Sequence, residues 1–315
     1  MKRFEYLEAR TLRQAISMLQ RHGDSARIVA GSTDFLVRWR AGVWNPDYVI
    51  NIQRVAGLGR ITYSSRNGLR IGALVTIRTL EQHPVVRRRY PALAAAAASF
   101  AGVQVRNLAT VGGNICNASP SGDTIPALLV FGAECRVVGP EGERWVSLDQ
   151  FFTGPGQTVL QTGELLAEIK VPPPGANTGS HYIKHSPRGA MDIATVGVAS
   201  LISLDAGSGI SLDGRNGPCS EVRIALAAVA PTPVRAYAAE DILKGQEINS
   251  QLIETAAAAA QDGVTPIDDI RGSAAHRKEM VGVLTRRTLQ QALSSAADGP
   301  LAFEEQRSLT VQAAF

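Results

Sequence analysis

Apolar positions along this chain follow two rhythms. After Thr11, residues Leu12, Ala15, Ile16 and Leu19 recur at helical spacing, and Gly23 supplies a stop. Thr11 and Gln14 form a capping box, with the hydroxyl accepting from an early N–H and the amide reaching back. Short apolar runs predict strands at residues 27–30 and 48–52, with a helical start through Phe35 and Leu36 between them. Residues 61–63 and 69–71 bracket Arg66-Asn67-Gly68, a tight-turn signal for a hairpin. Thr76 caps a short helix ending near Pro84, and Pro91 opens an alanine-rich helix through Ser99. Asp123 is placed as the N-cap of an apolar helix over 125–131. A second hairpin, 135–138 with 144–147, turns at Glu141-Gly142, and a strand covers 165–171.

Pro172-Pro173-Pro174, followed by Gly175, reads as a linker. Beyond it, strands at 182–184, 194–204 and 222–229 come first, and helices at 238–243, 251–261 and 273–293 come last. That order predicts a small α+β domain with helices on one face of an antiparallel sheet. The expected domains are 1–176, with subdomains of about 1–55 and 56–176, then 177–290, then a tail over 291–315.

The length of 315 residues suits two domains, and 45% hydrophobic with 19% charged residues is globular composition. A net charge of +4 with 5% aromatics provides neither a basic face nor stacking platforms, so no nucleic-acid partner is expected. No apolar run is long enough to span a bilayer, and the N-terminus lacks a secretory pattern, so a cytoplasmic location is expected. The three cysteines, Cys116, Cys135 and Cys219, cannot by themselves supply a four-thiolate cluster. His181 and His185 lie four apart around a strand, not on one helix face, and no metal site is assigned.

Two glycine-bearing polar turns stand out. In Ala30-Gly31-Ser32-Thr33-Asp34, a strand runs through small residues into a helix. That is the local geometry of an anion cradle, with successive N–H groups aimed at phosphate oxygens, or of an ordinary turn with a polar cap. In Thr110-Val111-Gly112-Gly113-Asn114, paired glycines let a ligand pass over the backbone, and Asn114 can donate and accept. Neither turn is a GxGxxG fingerprint, and the chain has no P-loop and no GxSxG elbow.

Together with Ile71-Gly72-Ala73, Arg106-Asn107-Leu108-Ala109 and Ser119-Pro120-x-x-Asp123-x-x-Pro126, these turns resemble the FAD-binding medium subunit of molybdenum hydroxylases. That family includes the flavin subunits of carbon monoxide, xanthine and nicotine dehydrogenases. The resemblance implies an α+β fold: a vanillyl-alcohol-oxidase-type (PCMH) FAD-binding domain of two subdomains, then a small C-terminal α/β domain. It implies non-covalent FAD, with Ile28, Val29, Ala30, Gly31, Ser32, Thr33, Asp34 and Phe35 as the first cofactor loop. Thr110, Val111, Gly112, Gly113 and Asn114 would form the second, the pyrophosphate resting on N–H groups of both. Phe100 would lie near the cofactor, Asp123 would bind its polar part, Leu166 would line the pocket, and Lys184 would approach the flavin ring.

Ser32 stands where a glycine is common in the family, at little cost if its φ is ordinary. No catalytic residue is assigned. Molybdopterin and 2Fe-2S clusters are expected only on a large and a small partner subunit, in a dimer of heterotrimers that passes electrons to an external acceptor. The competing readings are a stand-alone FAD-dependent reductase and a non-catalytic nucleotide-binding scaffold.

Overall fold

The computed structural model describes residues 2–189, 191–205 and 217–298. In chain order, β1 (Glu5–Glu8), α1 (Leu12–His22), β2 (Ala26–Val29), α2 (Thr33–Arg40) and β3 (Tyr48–Asn51) come first. The hairpin β4 (Ile61–Ser64) and β5 (Gly68–Gly72) precedes six short helices: α3 (Ile77–Gln82), α4 (Pro84–Arg89), α5 (Pro91–Ala98), α6 (Val103–Arg106), α7 (Val111–Cys116) and α8 (Thr124–Val130). Then come β6 (Glu134–Gly139), β7 (Gly142–Ser147), the small pair β8 (Phe152–Gly154) and β9 (Gln157–Thr158), and β10 (Leu165–Val171). The last part holds β11 (Thr178–His185), β12 (Val196–Leu204), β13 (Cys219–Ala227), β14 (Val234–Arg235), α9 (Tyr237–Leu243), α10 (Ser250–Asp262) and α11 (Ala274–Asp298).

These elements form two compact units. The first holds residues up to Leu80, Phe100–Ser119 and Gly132–Pro172. Its parallel sheet has the order β1-β3-β2, and its antiparallel sheet the order β4-β5-β10-β6-β7. The apolar face of α1 packs Ala15 and Ile16 against Ile50 of β3, in one cluster with Leu165 and Ala167 of β10. The Thr11 hydroxyl caps Gln14 N at 3.1 Å. The Gln14 side chain reaches one residue further back than expected, accepting from Arg10 N at 2.9 Å.

The second unit holds Glu81–Ser99, Pro120–Phe131 and the described residues from Pro173 to Asp298. Its sheet, β11-β12-β13-β14, is antiparallel. The expectation of helices on one face only is corrected here. Gly179 lies against the backbone of α11, while the next residue, Ser180, accepts from Ala92 N of α5. Successive strand residues point to opposite faces, so α11 covers one face and α5 the other. With both faces covered, β12 is buried along almost its whole length, which explains its unbroken apolar run. Helix α11 continues to Asp298, past the expected end at residue 293. From residue 299 on, the expected tail lies outside the described residues. No described helix is long and apolar enough to cross a membrane.

Candidate functional site

The first glycine turn is built by close approach. Gly31 has no positive φ. A Cβ there would sit 2.0 Å from the Leu108 carbonyl oxygen and 2.9 Å from Ala109 Cα, so the turn lies flush on the segment that leads into α7. The residue that does take a left-handed backbone is Ser32, at φ 60° and ψ 7°. The idea that Ser32 costs little is therefore corrected, because an L-residue in this region carries about 1–2 kcal/mol of strain. Its hydroxyl donates only to Ala30 O, at 3.3 Å. Ser32→Gly is expected to raise the unfolding free energy by about 0.5–1 kcal/mol, after the entropic cost of glycine. Denaturant unfolding reads this directly.

Helix α2 then starts with its donors uncommitted. Leu36 N donates to Ser32 O. The N–H groups of Thr33, Asp34 and Phe35 find no acceptor among the described residues. These are the orphan donors of a helix start, and they offer an anion partial positive charge. Asp34 sits among them, its carboxyl pushed up by loss of solvent against the pull of Arg38.

The second motif is not a loop. Thr110 is the N-cap of α7, and its hydroxyl accepts from Gly113 N at 3.0 Å. Val111 N donates to Val75 O at 2.9 Å, Gly112 N to Ala73 O at 3.0 Å, and Asn114 N to Thr110 O at 2.9 Å. The N–H groups of Val111 to Asn114 thus already have acceptors within the protein. The glycines of this segment serve packing. A Cβ on Gly112 would meet Ala73 O at 2.7 Å, and one on Gly113 would meet the capping hydroxyl at 2.8 Å. Gly72 has the same character, with Leu58 O 2.1 Å from where its Cβ would be.

One cavity within the first unit collects these segments. It encloses about 220 Å³, room for part of a nucleotide rather than for water alone. Its wall includes the whole run from Ile28 to Phe35, then Phe100, Thr110, Gly112, Gly113, Asn114 and Leu166. Val111 is fully buried and is not part of the wall. Sequence reasoning missed Trp44, Leu160, Glu164 and Asn117, which also line it. Trp44 packs near Phe35, with ring centroids 6.1 Å apart, and the Arg38 guanidinium stands 4.6 Å from the Trp44 ring centre. The Asn117 Oδ1 is buried without a hydrogen-bond partner. Its proximity to Gly112-Gly113-Asn114 was the only local signal for it.

Asp123 and Lys184 belong to the second unit, where they meet each other. Asp123 takes the expected N-cap position of α8, but with helical backbone angles and no capping hydrogen bond from its side chain. Its Oδ2 accepts from Lys184 Nζ at 2.9 Å, and Lys184 also donates to Ser99 O at 3.1 Å. The two side chains are 10% and 4% exposed. Burial pushes the Asp123 carboxyl up to about 6, against the opposing pull of Lys184. It also raises the Tyr182 phenol, with the Asp123 charge adding to the shift.

Comparison with known proteins gives two domain matches. Residues 2–174 match the FAD binding domain in molybdopterin dehydrogenase, and residues 181–292 match the CO dehydrogenase flavoprotein C-terminal domain. The putative xanthine dehydrogenase FAD-binding subunit XdhB of Escherichia coli K12 is 35% identical over 292 residues, 92% of this chain and 96% of that protein. The carbon monoxide dehydrogenase medium chain of Hydrogenophaga pseudoflava is 32% identical over 94% of this chain and 99% of its own length. Among solved structures, a carbon monoxide dehydrogenase from the same organism superposes with a TM-score of 0.86 at 34% identity, covering 93% of this chain and 98% of that one. Quinoline 2-oxidoreductase from Pseudomonas putida 86 gives 0.84 at 29% identity, covering 94% and 100%.

Proposed function

Since the chain belongs to the FAD-binding medium subunits of the molybdenum hydroxylases, we propose that it is an electron relay between 2Fe-2S clusters on a partner and an external acceptor. The observation that carries its cofactor site is the start of α2, where Thr33, Asp34 and Phe35 present free N–H groups on the wall of an otherwise largely apolar cavity. Those donors fit a diphosphate. The orphaned Asn117 Oδ1 fits a donor group of the same ligand. Phe35, Trp44 and Phe100 add aromatic surface. In this reading Gly31 keeps the first turn flat against residues 108–109, and the Thr110 hydroxyl holds the start of α7 in place. FAD accepts one electron or two, so it can connect one-electron clusters with a two-electron acceptor.

The remaining parts follow from the same reading. Three cysteines cannot ligate a 2Fe-2S cluster, so the clusters belong to a small subunit and the molybdopterin to a large one, in a dimer of heterotrimers. The carry-over of Asp123 and Lys184 to the cofactor rests on the resemblance and is part of the same proposal. The flavin is non-covalent: heat or acid precipitation should leave it in the supernatant, and yellow colour that stays with the precipitate would refute this.

The relay is tested by rapid mixing of the assembled complex with its organic substrate while flavin and cluster absorbance are followed separately. Cluster reduction should precede flavin bleaching. The isolated chain should carry flavin yet show no turnover with N-heterocycles, aldehydes or carbon monoxide. Rapid flavin reduction by such a substrate in the isolated chain would establish a stand-alone reductase instead.

A further inference from the structure

We propose that His185 and His276 form a binding site for one divalent transition-metal cation of the zinc type. His185 ends β11, and His276 lies in the first turn of α11. Their Nε2 atoms are 3.3 Å apart, and the rings meet edge to face, with centroids separated by 5.4 Å at an interplanar angle of 60°. That separation is long for a direct N–H···N bond. It is also the edge of a tetrahedron whose metal–nitrogen bonds are about 2.0–2.1 Å, the normal length for zinc and imidazole. The two nitrogens are therefore already placed for one ion to take the position between them.

Both backbones are held in that arrangement without a metal. The carbonyl of His185 accepts from Thr195 N at 2.9 Å, and the residue pairs with Val196 across the sheet. His276 N donates to the Ser273 hydroxyl at 3.2 Å. Its neighbour Arg277 is buried and donates to Thr195 O at 2.8 Å, Ala228 O at 3.0 Å and Asp269 Oδ1 at 2.6 Å. Arg277 thus fixes the start of α11 to the turn in front of β12. Little chain ordering remains to be done on binding, which favours affinity.

The pair is also open. His276 is exposed and His185 half-buried. Among the described residues no third His, Cys, Asp or Glu joins the group. Two protein ligands and water complete the shell, an open site of moderate affinity rather than a closed structural one. When filled, it ties the end of β11 to α11. A ligand that binds only the folded state raises its stability in proportion to the logarithm of its concentration over Kd.

The test uses the full-length, tag-free, flavin-loaded chain, stripped with a chelator and titrated with Zn2+ at pH 7.5 by calorimetry and thermal unfolding. One equivalent should bind and raise the unfolding midpoint. His276→Asn, on the exposed side, and His185→Gln should each weaken Zn2+ binding at least tenfold and abolish the midpoint shift. Flavin content should stay at the parent level in both. His22→Gln, whose ring stacks on Tyr48 in the other unit, should bind as the parent does. If His185→Gln loses flavin, His276→Asn decides alone. No binding up to millimolar Zn2+, or binding that His276→Asn leaves intact, overturns the site.

Discussion

Gly31→Ala is expected to empty the chain of flavin and to lower its unfolding free energy by about 3 kcal/mol, the upper range for overpacking. The added carbon would meet backbone: Leu108 O at 2.0 Å, Leu108 C at 2.8 Å and Ala109 Cα at 2.9 Å. None of these can swing aside as a side chain would. Ala109 O accepts from Ile77 N at 2.8 Å, and α7 begins two residues later. Relief therefore requires the first turn to lift, which moves the donors of Thr33, Asp34 and Phe35 together.

Gly42→Ala is the control. Gly42 has φ +72° with nothing within 4 Å of its missing Cβ. Alanine there is expected to cost about 1 kcal/mol through the backbone alone and to leave flavin content unchanged. Flavin absorbance per chain and denaturant unfolding, measured on both variants, separate a cofactor defect from a stability defect. A Gly31→Ala chain with stoichiometric flavin would show that the first turn does not hold the cofactor.

Lys184→Met is expected to destabilise the second unit by about 3–5 kcal/mol at pH 7.5, the cost of leaving a buried charge without its partner. Once Lys184 is gone, Asp123 keeps the Tyr182 hydroxyl as a donor, at 3.5 Å. The double variant Lys184→Met, Asp123→Asn should recover most of the loss, because no unpaired charge remains. If the double variant is no better than Lys184→Met alone, the pair is not the source of the effect.

Asp123 also sets a pH dependence. Its folded-state carboxyl titrates at about 6, above the ordinary 3.8, so the folded chain binds this proton more tightly than the unfolded chain does. The stability it contributes is fully present below about pH 4 and is lost as the pH rises through 6. The amount is up to about 3 kcal/mol, from roughly two units at 1.36 kcal/mol each. Unfolding free energies of the parent should fall across that window by more than those of Asp123→Asn. Parallel curves would place the titration elsewhere.

Much of the local structure was legible in the sequence, because local structure is set by neighbours along the chain. Helical spacing and the Thr11 cap gave α1, Asn67-Gly68 gave the β4–β5 hairpin, and the turn at Gly31 gave the strand-to-helix start whose donors remain free. The family resemblance gathered most of the cavity wall for the same reason, since its motifs are contiguous runs.

The tertiary structure decided what depends on segments far apart in sequence. Gly112-Gly113 reads as a polar turn in sequence, but the Val75 and Ala73 carbonyls accept from Val111 N and Gly112 N, the Thr110 hydroxyl accepts from Gly113 N, and the segment is a helix start. Asp123 has the right type and place for a cap, but the amine of Lys184, 61 residues away, takes its carboxylate. Helices α5 and α8 precede the linker in sequence yet belong to the C-terminal sheet's unit. His185 has His181 four residues away in sequence, whereas the ring it meets is His276, 91 residues away on α11. Periodicity reports which side of an element is apolar. Which atoms meet across two elements is set by close packing, and a contact made by backbone approach leaves in sequence only a small residue, with no sign of what it faces.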